Sequence, residues 1–308
     1  MKFNKKQLLV LLGFLSLGTS YAQQDPHYTQ YMFNQSVFNP AYAGSKESLS
    51  LGVLHREQWA GLDGAPQTST AFAHSRVGKN VGVGLSFISD KIGPTTENNV
   101  YADISYTVKL APGHKLALGV KGGMSMQNTS YLDMIDPFVP DPNDPAFQEN
   151  TSNSFFNFGA GAFYYTDKYY VGLSMPNFIK NTYLDKSDRS FGSDAMHVFL
   201  TGGYVFQLNP DWKLKPSTMI KYAQGAPLGF DVNLNANLKD KLEFGVMYRI
   251  DDSFGAMINY SVLSNLRVGY AYDYVTSGLN YSAKGSHEVF VLFDIYFKKK
   301  VSSSPRYF

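Results

Sequence analysis

The stretch Gly229-Phe230-Asp231-Val232-Asn233-Leu234-Asn235-Ala236-Asn237-Leu238 decides the fold. In an extended chain successive side chains point to opposite faces, so Asp231, Asn233, Asn235 and Asn237 share one side. Phe230, Val232, Leu234, Ala236 and Leu238 share the other, and such a strand calls for oil on one face and water on the opposite one. The next segment repeats the pattern: Leu242, Phe244, Val246, Tyr248 and Ile250 oppose Lys241, Glu243, Gly245, Arg249 and Asp251, with Met247 the single apolar intruder. Near the end of the chain Val289, Val291, Phe293, Ile295 and Phe297 form a wholly apolar face. Glu288 and Asp294 lie on the reverse beside Phe290, Leu292 and Tyr296, so that face is partly filled.

Alternation bounded by Gly, Pro, Asn and Asp predicts strands near 47–58, 66–77, 80–91, 97–110, 114–128, 154–166, 168–176, 194–208, 212–222, 227–238, 241–251, 253–262, 264–275 and 285–297. About 14 such segments, an even number, fit a bacterial transmembrane β-barrel. Connections supply a second test. Gly78-Lys79, Ala111-Pro112-Gly113, Thr166-Asp167, Asn209-Pro210-Asp211 and Lys239-Asp240 are brief, while Thr129–Asn153, Asn177–Ser193 and Thr276–Lys284 all fall on the other side. Outer-membrane barrels have this asymmetry, with short periplasmic turns and long outer loops. Asp136–Pro145, rich in Asp and Pro, reads as a non-strand excursion on the outer side. Trp212 and Tyr222, of one parity, would stand roughly 25 Å apart in height, the separation of two aromatic girdles.

The amino terminus reads as an export signal. Lys2, Lys5 and Lys6 precede the apolar run Leu8–Leu17, and Ser20-Tyr21-Ala22 offers a cleavage site after Ala22. The chain carries 27 basic and 25 acidic residues. Removing the signal takes three lysines and no acid, so no basic surplus remains to argue for nucleic acid. Downstream no apolar run approaches the roughly 18 residues of a membrane helix, so spanning falls to strands. The absence of cysteine excludes disulfides and thiolate metal sites. The domain plan is a signal at 1–22, an N-terminal periplasmic segment at 23–46, a transmembrane β-barrel at 47–297 and a periplasmic tail at 298–308. The class is therefore all-β: an outer-membrane antiparallel barrel of about 14 strands, integral to that membrane and in contact with its lipid and lipopolysaccharide.

Charged residues on the polar parity comprise Lys121, Lys213, Lys215, Lys221, Arg249 and Arg267 against Asp103, Asp231, Glu243, Asp251, Asp273 and Glu288. Two readings stay open, an internal ladder of ion pairs and a selective pore, and the spacing does not sort the charges by sign. Parity alone predicts that Leu234→Lys costs about 2–4 kcal/mol near the bilayer midplane while Asn233→Lys is far milder. The six histidines lack the i, i+4 or i, i+2 spacing of a metal site. Ser286-His287-Glu288 are consecutive, so they point to alternate faces and do not assemble a lipase triad. Gly82, Gly84, Gly159, Gly161, Gly202 and Gly203 fall inside strands, where glycine relieves curvature or admits a neighbouring group. No catalytic, cofactor or metal residue emerges.

The segment ahead of the first strand is aromatic, weakly alternating and twice broken by proline. It contains Asp25, Pro26, Tyr28 and Tyr31 in Asp25-Pro26-His27-Tyr28-Thr29-Gln30-Tyr31-Met32-Phe33-Asn34, then Asn39-Pro40-Ala41-Tyr42-Ala43-Gly44. So many aromatics are costly to leave in water, so docking is expected, either into the barrel mouth or against a periplasmic partner.

These residues also carry a resemblance. The block 25–44, then Arg56, Gln58, Trp59 and Gly61 with Gly64-Ala65-Pro66-Gln67-Thr68, then Asp90-Lys91-Ile92-Gly93-Pro94, resemble the PorP/SprF family of type IX secretion membrane proteins. Gly269-Tyr270-Ala271-Tyr272-Asp273 and Ser286-His287-Glu288 look like that family's closing motifs. The resemblance implies a non-enzymatic barrel that supports secretion and surface anchoring of a large adhesin through the adhesin's type IX C-terminal signal domain, as in gliding motility. A core component attached to periplasmic lipoproteins, ring and motor proteins is the alternative it leaves open, and a passive solute porin is the alternative left by parity. Asp25, Pro26, Tyr28, Tyr31, Asn39, Pro40, Gly44, Arg56, Trp59 and Gly61 are the expected partner contacts. Asp231, Asn233, Asn235, Asn237, Glu243, Arg249, Arg267, Asp273 and Glu288 are expected to face the lumen.

Overall fold

A computed structural model describes residues 28–130, 150–179, 182–186, 189–193, 196–224, 226–277 and 284–297, with 182–186 and 189–193 described by backbone alone. The signal at 1–22, Asp25, Pro26, Asp136–Pro145 and the tail at 298–308 lie outside the described residues.

The strands are β1 (Leu49–Glu57), β2 (Gln67–Val77), β3 (Val81–Ile92), β4 (Thr95–Ala111), β5 (His114–Thr129), β6 (Thr151–Tyr165), β7 (Tyr169–Met175), β8 (Thr182–Lys186), β9 (Arg189–Ser193), β10 (His197–Tyr204), β11 (Phe206–Gln207), β12 (Trp212–Ala223), β13 (Gly229–Leu238), β14 (Leu242–Arg249), β15 (Ser253–Leu263), β16 (Leu266–Val275) and β17 (Ser286–Ile295). β8 and β9 pair only with each other, and β11 prolongs β10 along β12. The others pair antiparallel in sequence order. β1 joins β17, with Leu49 opposite Ile295, and the sheet closes into a cylinder of 14 strands. Closure removes the edges of the sheet wherever each strand has both neighbours, which is what hydrocarbon demands, and leaves an unpaired stretch only beyond it, where β6 outruns β7.

The alternation read from the sequence is the alternation of the wall. Val232, Leu234, Phe244, Val246, Tyr248, Val289 and Val291 are exposed on the outside, while their neighbours are buried within. Trp212 and Tyr222 both face outward, near opposite ends of β12. Asp251 differs from expectation: it is exposed in the turn between β14 and β15, with a left-handed φ of 59°. β4 spans 17 residues and β6 starts at Thr151, both beyond the expected limits. Crossing the hydrocarbon takes only about 9–11 residues. Beyond it a strand keeps its hydrogen bonds and needs no apolar face, so Thr95-Thr96-Glu97-Asn98-Asn99 carried no alternation to read.

Residues 28–46 lie inside the cylinder rather than beneath it, and every one of them is buried. They form a 3-10 turn at Tyr31–Phe33, one α-helical turn at Gln35–Phe38 and a second 3-10 turn at Pro40–Tyr42. The Asn39 side chain accepts from Ala41 N at 3.0 Å, and Pro40 opens the last turn, where its missing N–H costs nothing. The core of the molecule therefore sits in the lumen. Tyr31, Met32, Phe33, Phe38 and Tyr42 pack with Phe72, Phe163, Phe199, Met219, Met247, Met257 and Phe290 from the wall. This explains Met247: its inward apolar side chain meets packed aromatics.

Candidate functional site

The internal segment is a plug, and two devices hold it. The first is built where the ends of the chain meet. Register places Arg56 of β1 opposite Glu288 of β17, and Asp273 lies on the neighbouring β16, opposite Ser286. All three side chains point inward, at 3% exposure or less. Arg56 Nη2 donates to Asp273 Oδ2 at 2.8 Å, and Nη1 donates to Glu288 Oε2 at 3.2 Å and to Thr29 Oγ1 at 2.7 Å. The two oxygens of Glu288 accept the backbone N–H groups of Thr29 and Gln30, each at 2.8 Å. Thr29 Oγ1 donates to Asp273 Oδ2 at 2.5 Å. A carboxylate holding two successive backbone donors with a guanidinium behind it is a charge-assisted arrangement of the strong kind. Arg249, itself bonded to Asp231 at 2.9 Å, reaches Tyr28 O at 3.5 Å.

The second device is a track of small wall residues. Gly82 on β3, Gly119 on β5 and Gly161 on β6 all face inward, and Asn39-Pro40-Ala41-Tyr42-Ala43-Gly44 lies directly on them. A Cβ at Gly82 would overlap Ala43 O, one at Gly119 the backbone of Ala41, and one at Gly161 the Asn39 side chain. The role read from sequence, admitting a neighbouring group, thus extends to a whole chain segment. Gly44 has φ +69°, where a side chain would be strained, and it passes against Gly82. Polar contacts fix this half. Ser105 Oγ donates to Ala43 O at 2.6 Å, Arg76 Nε to Gly44 O at 3.0 Å and Asn39 Nδ2 to Ala162 O at 3.0 Å. Lys121, paired with Asp103 at 3.2 Å, donates to Val37 O at 3.1 Å.

Aromatic contacts complete the seat. Phe33 stacks on Phe290 at 4.8 Å with the Arg267 guanidinium 5.5 Å from its ring, and Phe38 packs on Phe199. Tyr42 meets His74 and Phe163 edge-on. Tyr31 Oη donates to Ser217 Oγ at 3.2 Å.

Of the expected partner contacts, Tyr28, Tyr31, Asn39, Pro40 and Gly44 belong to the plug, and Arg56 to its anchor. Trp59 and Gly61 lie apart in the β1–β2 connection, which pairs with the start of β17: Trp59 N donates to Ser286 Oγ at 3.2 Å and Ala60 N to Gly285 O at 2.8 Å. All nine lumen residues are on the inner side. Asp231 and Arg249 join Lys221 beside Tyr28, and Asn233 lies near Tyr31. Asn235 and Asn237 donate to Glu243 at 2.8 and 3.0 Å, and Lys215 and Arg267 pair with that carboxylate. Asp273 and Glu288 complete the anchor. Of the two open readings for these charges, the contacts form a ladder of pairs. Sequence reasoning missed Thr29 and Gln30 as ligands of Glu288, and missed Gly119. The available signal was glycine at inward parity on neighbouring strands.

The glycine track yields a prediction. Gly119→Val should displace the 39–44 stretch at a cost of about 1–3 kcal/mol, while the outward Leu118→Val should be neutral. Limited proteolysis of the detergent-solubilised barrel checks it, with cleavage within 39–46 expected only in the first variant and the folded electrophoretic band kept in both.

Comparison with known proteins places the assembly. The model of the family described as type IX secretion system membrane protein PorP/SprF matches residues 20–293. No curated protein matches the chain. Among solved structures, the Ralstonia pickettii toluene transporter TbuX is similar at 10% identity and TM-score 0.50, over 84% of this chain and 92% of that one. The CymD monoaromatic hydrocarbon channel is similar at 11% identity and TM-score 0.50, over 86% and 93%. At such identities they speak to the barrel fold alone. The family match runs from before the plug to the last strand, so plug, anchor and wall all fall within it, and the chain belongs to the PorP/SprF family of type IX secretion system membrane proteins.

Proposed function

We propose that this barrel is a non-enzymatic outer-membrane component that holds an exported surface protein, an adhesin bearing a type IX C-terminal signal domain, at the mouth with the long connections. The filled lumen carries the reading. A cylinder whose interior is occupied by residues 28–46 and by paired charges is suited to binding at its rim rather than to passing solute. Longer strands add to that rim: β6 runs from Thr151 to Ala160 past the point where β7 ends, at Met175. Gentle crosslinking in cells should recover the barrel together with a large surface protein. Recovery of the barrel alone under conditions that capture other secretion components would refute the docking role. Against the porin alternative, the purified barrel should show little conductance in planar bilayers.

One observation favours a second reading, attachment to periplasmic machinery. The short-turn end exposes Lys79, Lys109, Lys168, Lys239 and Lys241 around the ring. Of these, Lys79, Lys109, Lys168 and Lys241 have no ion-pair partner among the described residues. An acidic periplasmic lipoprotein or ring component would complement that end, and the same crosslinking experiment reports it.

A further inference from the structure

The plug has a direction, and strand β17 records it. Its third residue, Glu288, holds the backbone of Thr29 and Gln30, while its ninth, Asp294, pairs with Lys46 at 3.5 Å. Six residues of strand separate the two contacts, about 20 Å along the wall at ~3.3 Å per residue. Other strands agree. Tyr28 Oη bonds Thr70 Oγ1 at 2.6 Å near the start of β2, while Gly44 O accepts from Arg76 near that strand's end. Residue 28 is therefore at the end of the barrel where β1 finishes and the long connections lie, and residue 46 is at the short-turn end, where the chain enters β1.

We propose that the mature N-terminus emerges through the long-connection mouth, on the cell surface, and not on the side where β1 begins. A return path down the lumen is closed, because residues 28–46 and the inward side chains already fill it. Tyr28 binds the fourth residue of β2, so roughly 10 Å of wall lies above it. With cleavage after Ala22, five residues precede Tyr28, and an extended chain of that length reaches about 17 Å. The outward assignment of this mouth rests on the loop asymmetry used for the proposed function, but the threading does not.

The absence of cysteine from the chain makes the test direct. Asp25→Cys is compared with Asp63→Cys, exposed in the β1–β2 connection, and with Lys239→Cys, exposed in a short turn. Each is treated in intact cells with a membrane-impermeant maleimide, before and after permeabilising the outer membrane. Asp25→Cys is expected to label as Asp63→Cys does, without permeabilisation, while Lys239→Cys labels only afterwards. Labelling of Asp25→Cys together with Lys239→Cys overturns the threading. If Asp63→Cys and Asp25→Cys both wait for permeabilisation while Lys239→Cys labels without it, the threading stands and the outward assignment falls, which separates the two claims. Should Asp25→Cys take no label in either state, a Gly-Ser spacer carrying the cysteine is inserted between Gln24 and Asp25. Failure of that spacer to label alongside Asp63→Cys overturns the proposal.

Discussion

Replacing Arg56 by methionine is expected to free the first half of the plug while leaving the barrel closed. Arg56 is the cation that touches both Asp273 and Glu288, and neither carboxylate is more than 1% exposed. Removing one partner of a buried pair costs about 3–5 kcal/mol, because the remaining charge stays buried without compensation. Here two carboxylates are left. The least expensive relief is for Thr29 and Gln30 to withdraw and let water in, since the wall itself is held by a continuous antiparallel ladder. Protease sensitivity within 28–36 should therefore rise and conductance in planar bilayers should increase, with the heat-modifiable band of the folded barrel retained. Asp273→Asn is the contrasting variant. Asp273 Oδ2 accepts from Arg56 and Thr29, while Oδ1 has no hydrogen-bond partner among the described residues. Glu288 still neutralises Arg56 in this variant and the amide oxygen keeps the accepting position, but the amide nitrogen meets no acceptor among the described residues, so a cost of about 1–3 kcal/mol, below that of Arg56→Met, is expected. Equal behaviour of Arg56→Met and the unaltered protein in both assays would show that the anchor does not hold the plug.

The wall was legible because its physics is local and periodic. Gly229–Leu238 shows which residues meet lipid from parity alone, and the short connections between hairpins mark the strand ends. The plug has no such period. Residues 28–46 are enclosed on all sides, so no polar face alternates with an apolar one, and their helical turns are too short to show the 3.6-residue repeat. Their aromatic content indicated docking, either into the barrel mouth or against a periplasmic partner, without deciding between the two. The anchor was illegible for a different reason: Arg56 faces Glu288 only because the first strand pairs with the last, a contact 232 residues apart in sequence. The resemblance singled out Arg56, Asp273 and Glu288 separately, and closure of the cylinder brings them together around Thr29.

The plug also reverses one expectation drawn from parity. Leu234 faces outward at 43% exposure, the sixth of ten residues in β13, so Leu234→Lys should still cost about 2–4 kcal/mol. Asn233 was expected to tolerate lysine because its face would be wet. It is 1% exposed, set between Ser217 and Met247 on the adjoining strands and close to Tyr31. The nearest inward carboxylate along the strand, Asp231, is already paired with Arg249 and Lys221. An ammonium at position 233 would be buried without a counter-charge, at a cost of several kcal/mol, comparable with that of the outward substitution. The two costs separate once the plug is removed. Deleting 28–38 admits water to the inner face and leaves the lipid face untouched, so Asn233→Lys should become mild while Leu234→Lys stays costly. Urea unfolding from lipid vesicles, run as a double-mutant cycle, measures the difference. An unchanged cost for Asn233→Lys in the deleted background would mean that the plug does not keep that face dry.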